Sequence, residues 1–275
     1  MPAAPGQAVP VLMYHEISEP EKAAFRTLAV SPSAFREQLA FLREAGYQAL
    51  TAGALAALLA EGGDVPPRTV VLTFDDGFED FHRLAVPALA EHGFGATVFV
   101  TTGWVQDAGS GSATSRPGRM LCWSQVTEVT TAGMEVGAHS CLHPQLDQIP
   151  AARLRDELYT SKAALEDQLG VPVPGLAYPF GYSNAKVRET ARAADYQYAY
   201  AVRNTMATRG GDLFRLARLT VHSSADLAEF RRLVEGRFAL SMARDRALTA
   251  SWSVVRRSRA KLAGVARERD YPANA

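Results

Sequence analysis

In VVLTFDDGFEDF, residues 70–81, an apolar run ends in two adjacent carboxylates and a glycine, and in MEVGAHSCLHPQL, residues 134–146, a second run ends in two histidines four apart. Asp75, Asp76, His139 and His143 are the residue types that hold a divalent cation and move a proton. Two imidazoles and one carboxylate fill three positions around a Zn-like ion and leave a fourth for water, which is the pattern of catalytic rather than structural sites. On a helix the i, i+4 spacing would place both imidazoles on one face, with Pro144 tolerated if His143 lies in the first turn. Each pair also has a plainer reading. Asp-Asp-Gly after a strand is ordinary turn and helix N-cap chemistry, and a histidine pair alone is a weak metal signal.

Strands that alternate with helices must position these groups. Residues 70–74 are β-branched, aromatic or leucine, as expected of a strand buried on both faces. Further strands are expected at 9–14, 96–100, 134–138, 175–178, 198–202 and 216–221. Helices are expected at 33–46, 53–61, 81–92, 123–132, 151–169, 184–194 and 225–236, while the Gly/Ser-rich run 107–119 reads as a surface loop. Such alternation implies right-handed βαβ crossovers and an α/β fold with a parallel sheet or barrel. Both acidic and histidine pairs then open at the carboxyl ends of strands, where ligands gather in these folds.

The chain has 275 residues, 47% of them hydrophobic, ample for a core. Lys plus Arg and Asp plus Glu are both 29, so no whole-chain field points to nucleic acid. The balance is uneven: residues 237–275 carry nine basic and three acidic side chains, which leaves 20 basic and 26 acidic residues before them. Cys122 and Cys141 form no CxxC pair and read as buried thiols. No stretch approaches the length of an apolar membrane span. The first residues lack the basic start of a signal peptide, so the expected location is cytoplasmic unless a leader has been removed.

TFDDG at 73–77 together with HSxxH at 139–143 resembles the polysaccharide deacetylase family, the NodB-homology carbohydrate esterases. VLMYHEI near the start, AYPFG at 177–181 and RLTVH at 218–222 are similar to segments of its poly-N-acetylglucosamine deacetylase branch. The resemblance spans about residues 9–235 and implies a distorted (β/α)7 barrel, one divalent metal (zinc first, cobalt or nickel as alternatives) and an acetylated glycan substrate. It assigns Asp75 as catalytic base and Asp76, His139 and His143 as metal ligands. It places the Phe180 N–H, in the loop of Pro179, at the oxyanion, His222 as general acid, and His15 at the rim of the site.

Two departures stand out. Ala177 occupies the position of the arginine that commonly orients the base, and no Asp-x-x-Asp-Trp segment follows, so the orientation of Asp75 is unexplained. A small cyclic amide as substrate and a non-catalytic glycan-binding member therefore stay open beside deacetylation in exopolysaccharide production. Trp104, Trp123, Tyr178 and Tyr182 could stack on sugars or simply be buried, and His82 and His92 read as structural or solvent-facing. The expected organisation is a tail at 1–8, a catalytic domain at 9–236 and a basic extension at 237–275. In the extension Leu248, Trp252, Val255 and Leu262 suit an amphipathic helix, either packed on the barrel or turned to an anionic membrane or a partner protein.

Overall fold

The computed structural model describes residues 8–19, 23–109, 113 and 116–237, so most of the N-terminal tail and the proposed helix at 248–262 lie outside the described residues. The strand expected at 70–74 is β5 (Thr69–Phe74), and all six of its side chains are buried. Such burial requires neighbours on both edges and cover on both faces. One edge pairs in parallel with β1 (Val11–Tyr14) from Val11↔Val71 to Tyr14↔Phe74. The other is shared: β4 (Gln48–Leu50) takes Thr69–Val71, and β6 (Thr97–Val100) takes Thr73 and Phe74.

From β6 the parallel pairing continues through β7 (Glu135–Ala138), β8 (Gly175–Ala177), β9 (Tyr198–Val202) and β10 (Leu216–Thr220), which pairs back with β1. Seven parallel strands thus close a ring, with β4 attached outside it, and the expected barrel is present. The sequence reading omitted β4 and the parallel pair β2 (Glu16–Ile17) and β3 (Ala29–Val30). Segments of two or three residues carry no periodicity to detect.

The helices begin and end on local signals. Ser31 Oγ accepts from Ala34 N–H, and Pro32 opens α1 (Pro32–Glu44), which buries Phe35, Leu39 and Leu42 at helical spacing. Thr51 caps α2 (Ala52–Glu61) in the same way. The helix expected at 81–92 is in two parts. A π-turn over Phe81–Ala85 precedes α3 (Val86–His92), with the Val86 N–H reaching back to the Phe81 carbonyl. Pro87 has no N–H with which to continue the α-helical ladder, and the register slips by one residue. α4 (Trp123–Thr131), α5 (Ala151–Leu169), α6 (Ala185–Ala193) and α7 (Leu227–Val234) follow the sequence reading closely.

The amino end of the barrel is plugged by α2. Its Leu55, Ala56 and Leu59 pack with Val71, Phe99, Tyr200 and Leu216. Its first N–H groups meet a polar network: Ala52 N–H donates to Thr97 Oγ1 at 2.8 Å and Gly53 N–H to Glu135 Oε2 at 2.9 Å. Glu135 also accepts from Thr97 Oγ1 (2.7 Å) and the Tyr198 hydroxyl (2.6 Å), so one carboxylate ties three strands to the helix N-terminus. A negative charge suits that position. Replacing Glu135 with Ala should cost about 2–4 kcal/mol of stability, read as a lower urea midpoint. An unchanged midpoint would remove this network from the forces that hold the plug.

Candidate active site

The residues assigned to the site follow the carboxyl ends of ring strands: His15 after β1, Asp75 and Asp76 after β5, His139 and, four residues on, His143 after β7, Pro179 and Phe180 after β8, and His222 after β10. Asp75 still belongs to the ladder, its N–H donating to the Tyr14 carbonyl at 3.0 Å. Asp76 then turns left-handed at φ 76°, followed by Gly77 at φ 84°. A Cβ on Gly77 would also crowd the Val100 side chain at 3.3 Å, so glycine serves both the turn and the close approach. This backbone reversal separates the two acids. The turn expected of Asp-Asp-Gly is thus present at Asp76 and Gly77, but neither acid caps a helix, so the N-cap reading fails.

The side chain of Asp75 reaches Arg218 on β10. Arg218 Nη1 donates to Asp75 Oδ1 at 2.6 Å and Nη2 to Oδ2 at 2.7 Å, with Thr73 Oγ1 3.3 Å from Nη1. Both partners are buried. Burial alone would raise the Asp75 carboxyl, but the Arg218 charge, with His139 and the hydrogen bonds from Arg218, outweighs it and holds the group well below the usual carboxylate range. This is the orienting arginine missing at Ala177. It enters from a different strand, within the RLTVH segment, and the sequence reading missed its role. The available signal was a lone charge inside LARLT, a strand whose five residues are all buried.

Asp76 faces the histidines. Its Oδ1 is 3.5 Å from His139 Nε2 and 3.3 Å from His143 Nε2, and one ligand atom from each of the three residues lies within 4.8 Å of the others. Their segment is not a helical turn, contrary to the spacing argument. Ser140 and His143 are left-handed, at φ 62° and 57°, and His143 N–H donates to Ser140 Oγ at 3.0 Å. The two rings converge through this loop, with centroids 4.9 Å apart. His139 Nδ1 donates to the Ala177 carbonyl at 2.8 Å, which leaves the Nε2 lone pair directed at the acids.

The electrostatics fit a cation. Asp76 Oδ1 is buried with no hydrogen-bond partner among the described residues. Burial, and then the charge of Asp75, push the Asp76 carboxyl well above its ordinary range. Burial lowers both histidines, His143 to about 3 with the His139 charge adding to the effect, so both are neutral at pH 7 as ligands must be. An unpartnered carboxylate oxygen between two neutral imidazoles is a donor set that a divalent ion could bind.

The remaining residues ring this centre. His15 is half-buried, its Nδ1 has no hydrogen-bond partner among the described residues, and burial lowers it to about 4. His222 is near enough for its charge to act on His15. Pro179 is buried, whereas Phe180 is 50% exposed and left-handed at φ 59°. The N–H groups of Gly181 and Tyr182 donate to Tyr178 and Pro179 carbonyls, but that of Phe180 has no backbone acceptor among the described residues. Gly181, at φ 73°, leaves no room for a Cβ against Val202. His143 stacks on Trp104 at 4.9 Å and meets the Phe180 ring at 4.7 Å.

Other candidates fall outside the centre. Tyr178 is buried and donates to the Phe214 carbonyl at 3.0 Å. His82 pairs with Glu128, and His92 stacks on Phe94. Cys122 and Cys141 are free and half-buried rather than fully buried. No helix among the described residues is long and apolar enough to cross a membrane.

The family model described as polysaccharide deacetylase matches residues 62–199. A Bacillus subtilis strain 168 protein named as polysaccharide deacetylase YxkH is 25% identical over 227 residues, 82% of this chain and 76% of that protein. The poly-β-1,6-N-acetyl-D-glucosamine N-deacetylase of Escherichia coli K12 is 23% identical over 256 residues; the aligned region covers 81% of this chain but 38% of that enzyme. Among solved structures, the Streptococcus pyogenes deacetylase PplD in complex with acetate is 28% identical with a TM-score of 0.74, covering 83% of this chain and 99% of that one. IcaB from Ammonifex degensii shares the fold at a TM-score of 0.72 and 24% identity, covering 85% of this chain and 98% of that one.

The Asp75–Arg218 pair has a testable pH signature. Because Asp75 is held below its unfolded value, the pair contributes in full above about pH 4 and its contribution is lost as pH falls towards the folded pKa. In Arg218→Gln burial becomes the dominant influence and raises Asp75 instead. The variant should lose about 3–5 kcal/mol at pH 7, with the deficit narrowing on acidification. Urea unfolding of both proteins from pH 7 to pH 4 measures this, and a deficit independent of pH would contradict a charged pair.

Proposed function

The chain belongs to the polysaccharide deacetylase family, and from that premise we propose that it is a metal-dependent hydrolase that removes N-acetyl groups from an acetylated amino-sugar polymer or oligomer and releases acetate, in exopolysaccharide production. The observation that carries this reading is the separation of roles between neighbouring acids. Asp75 is oriented and ionised by Arg218, while Asp76 is directed at two neutral imidazoles.

Asp76, His139 and His143 would hold the ion, with zinc suiting the two imidazoles and one carboxylate. When bound, the metal lowers the pKa of water and polarises the acetamide carbonyl. Asp75 accepts a proton from the attacking water. Its Oδ2 lies 3.8 Å from His139 Nε2, beside the ligand set, and in the ionised state each oxygen keeps a second lone pair for that proton beside the one it shares with Arg218. The Phe180 N–H, with no backbone acceptor among the described residues, donates to the developing oxyanion, a contribution of about 3–4 kcal/mol for a well-placed donor. His222 supplies the proton that lets the amine leave, and His15 borders the substrate beside Asp75.

The non-catalytic reading rested on the missing arginine at 177. Arg218 performs that orienting task here, which favours turnover over binding alone. N-acetylglucosamine oligomers offered to metal-stripped protein reconstituted with zinc, cobalt or nickel should yield acetate. Asp75→Asn should lower the rate by about 10²–10⁴-fold with metal uptake retained, whereas Asp76→Asn should lose the metal. Metal uptake without acetate from any acetylated glycan, but with hydrolysis of a cyclic amide, would move the substrate to the small-amide class.

A further inference from the structure

We infer that Glu157 on α5 is a positioning residue that sets metal affinity by anchoring the loop carrying His139 and His143. The inference rests on the metal reading above and adds to it a residue outside the ligand set. In α5 the buried stripe of Leu154, Leu158, Ser161 and Leu165 faces inward, and Glu157 lies within it, 1% exposed. A charge so placed needs partners. Glu157 Oε2 accepts from Cys141 N–H at 2.9 Å and from Leu142 N–H at 2.7 Å. Oε1 is 2.8 Å from Arg153 one helical turn earlier, in an ion pair off the hydrogen-bond direction.

Cys141 and Leu142 are two of the three residues that separate the histidines. Their peptide units are also held from the opposite side, where Thr102 N–H donates to the Ser140 carbonyl at 3.2 Å and Gly103 N–H to the Cys141 carbonyl at 2.8 Å. The loop is thus clamped between the segment after β6 and a carboxylate from α5. It needs a clamp, because Ser140 and His143 both occupy left-handed backbone that favours glycine. Left-handed residues of this kind persist only where their surroundings over-determine them. Without the two charge-assisted bonds that Cys141 and Leu142 N–H donate to Glu157 the loop relaxes, and His143 Nε2 no longer rests 3.3 Å from Asp76 in readiness for an ion.

Metal titration into stripped protein tests this without reference to turnover. Glu157→Ala should fold and bind zinc about 10–100-fold more weakly than the parent, the range found when groups that orient metal ligands are removed. Glu157→Asp keeps the charge but falls a methylene short and should weaken binding as well. Glu157→Gln, whose amide oxygen can accept both N–H groups, should recover most of the affinity. In parallel, amide hydrogen exchange at Cys141 and Leu142 should accelerate in the Ala and Asp variants. Parent-like zinc affinity in Glu157→Ala, or in Glu157→Asp should the Ala variant not fold, would overturn the proposal. A merely structural glutamate would lower thermal stability without moving zinc affinity. A parent that takes up no metal would overturn the metal reading and this inference together, and the parent's own titration tells that case apart.

Discussion

The site depends on a buried ion pair that spans the interior of the barrel. Asp75 and Arg218 are 143 residues apart, on strands separated by β1, and neither charge could remain inside without the other. Closure of the ring brings them together. Because both oxygens of Asp75 are engaged by the guanidinium, the acid is ionised, oriented and withdrawn from competition for a cation. Asp76 is left with an oxygen that has no hydrogen-bond partner among the described residues and is directed at His139 and His143. One pair thus sets two neighbouring carboxylates in different surroundings.

The second constraint is backbone strain. Seven non-glycine residues have positive φ among the described residues, and four of them, Asp76, Ser140, His143 and Phe180, lie in the loops around this centre. Each costs on the order of 1–3 kcal/mol relative to relaxed backbone. What the strain achieves differs from place to place. At Asp76 it turns two consecutive carboxylates in different directions. In the histidine loop it converges two rings, and at Phe180 it leaves an N–H with no backbone acceptor among the described residues beside a half-exposed aromatic ring. The surrounding hydrogen bonds offset this cost: the Ser140 hydroxyl and the N–H groups of Thr102 and Gly103 hold the histidine loop.

The two ends of the barrel have different work. At the amino end, α2 and the carboxylate of Glu135 seal the strand ends with apolar packing and a network of well-formed hydrogen bonds. At the carboxyl end, buried polar atoms without hydrogen-bond partners among the described residues, such as His15 Nδ1 and Asp76 Oδ1, and left-handed residues accumulate. Stability and chemistry are separated along the strand axis, so the site can carry unfavourable local features that the plug does not share.

The sequence by itself determined the elements and the side chains that meet at the candidate site. Apolar runs and helical spacing located β5, β9 and α5 to within a residue or two, and the DDG and HSxxH segments named Asp75, Asp76, His139 and His143. These are local signals, written in the side chains at consecutive positions. Closure of the ring, the role of Arg218 and the way the histidines converge were decided only in the tertiary structure. Arg218 stands far from Asp75 in the chain, and its one legible trace was a charge in a strand otherwise apolar or polar but uncharged. The i, i+4 spacing suggested a helix because periodicity assumes regular backbone, whereas contacts from Ser140, Thr102 and Gly103 impose a left-handed loop. Strands as short as β2, β3 and β4 exist because neighbours supply their hydrogen bonds. Pairing energy across the chain is not encoded in any window of residues.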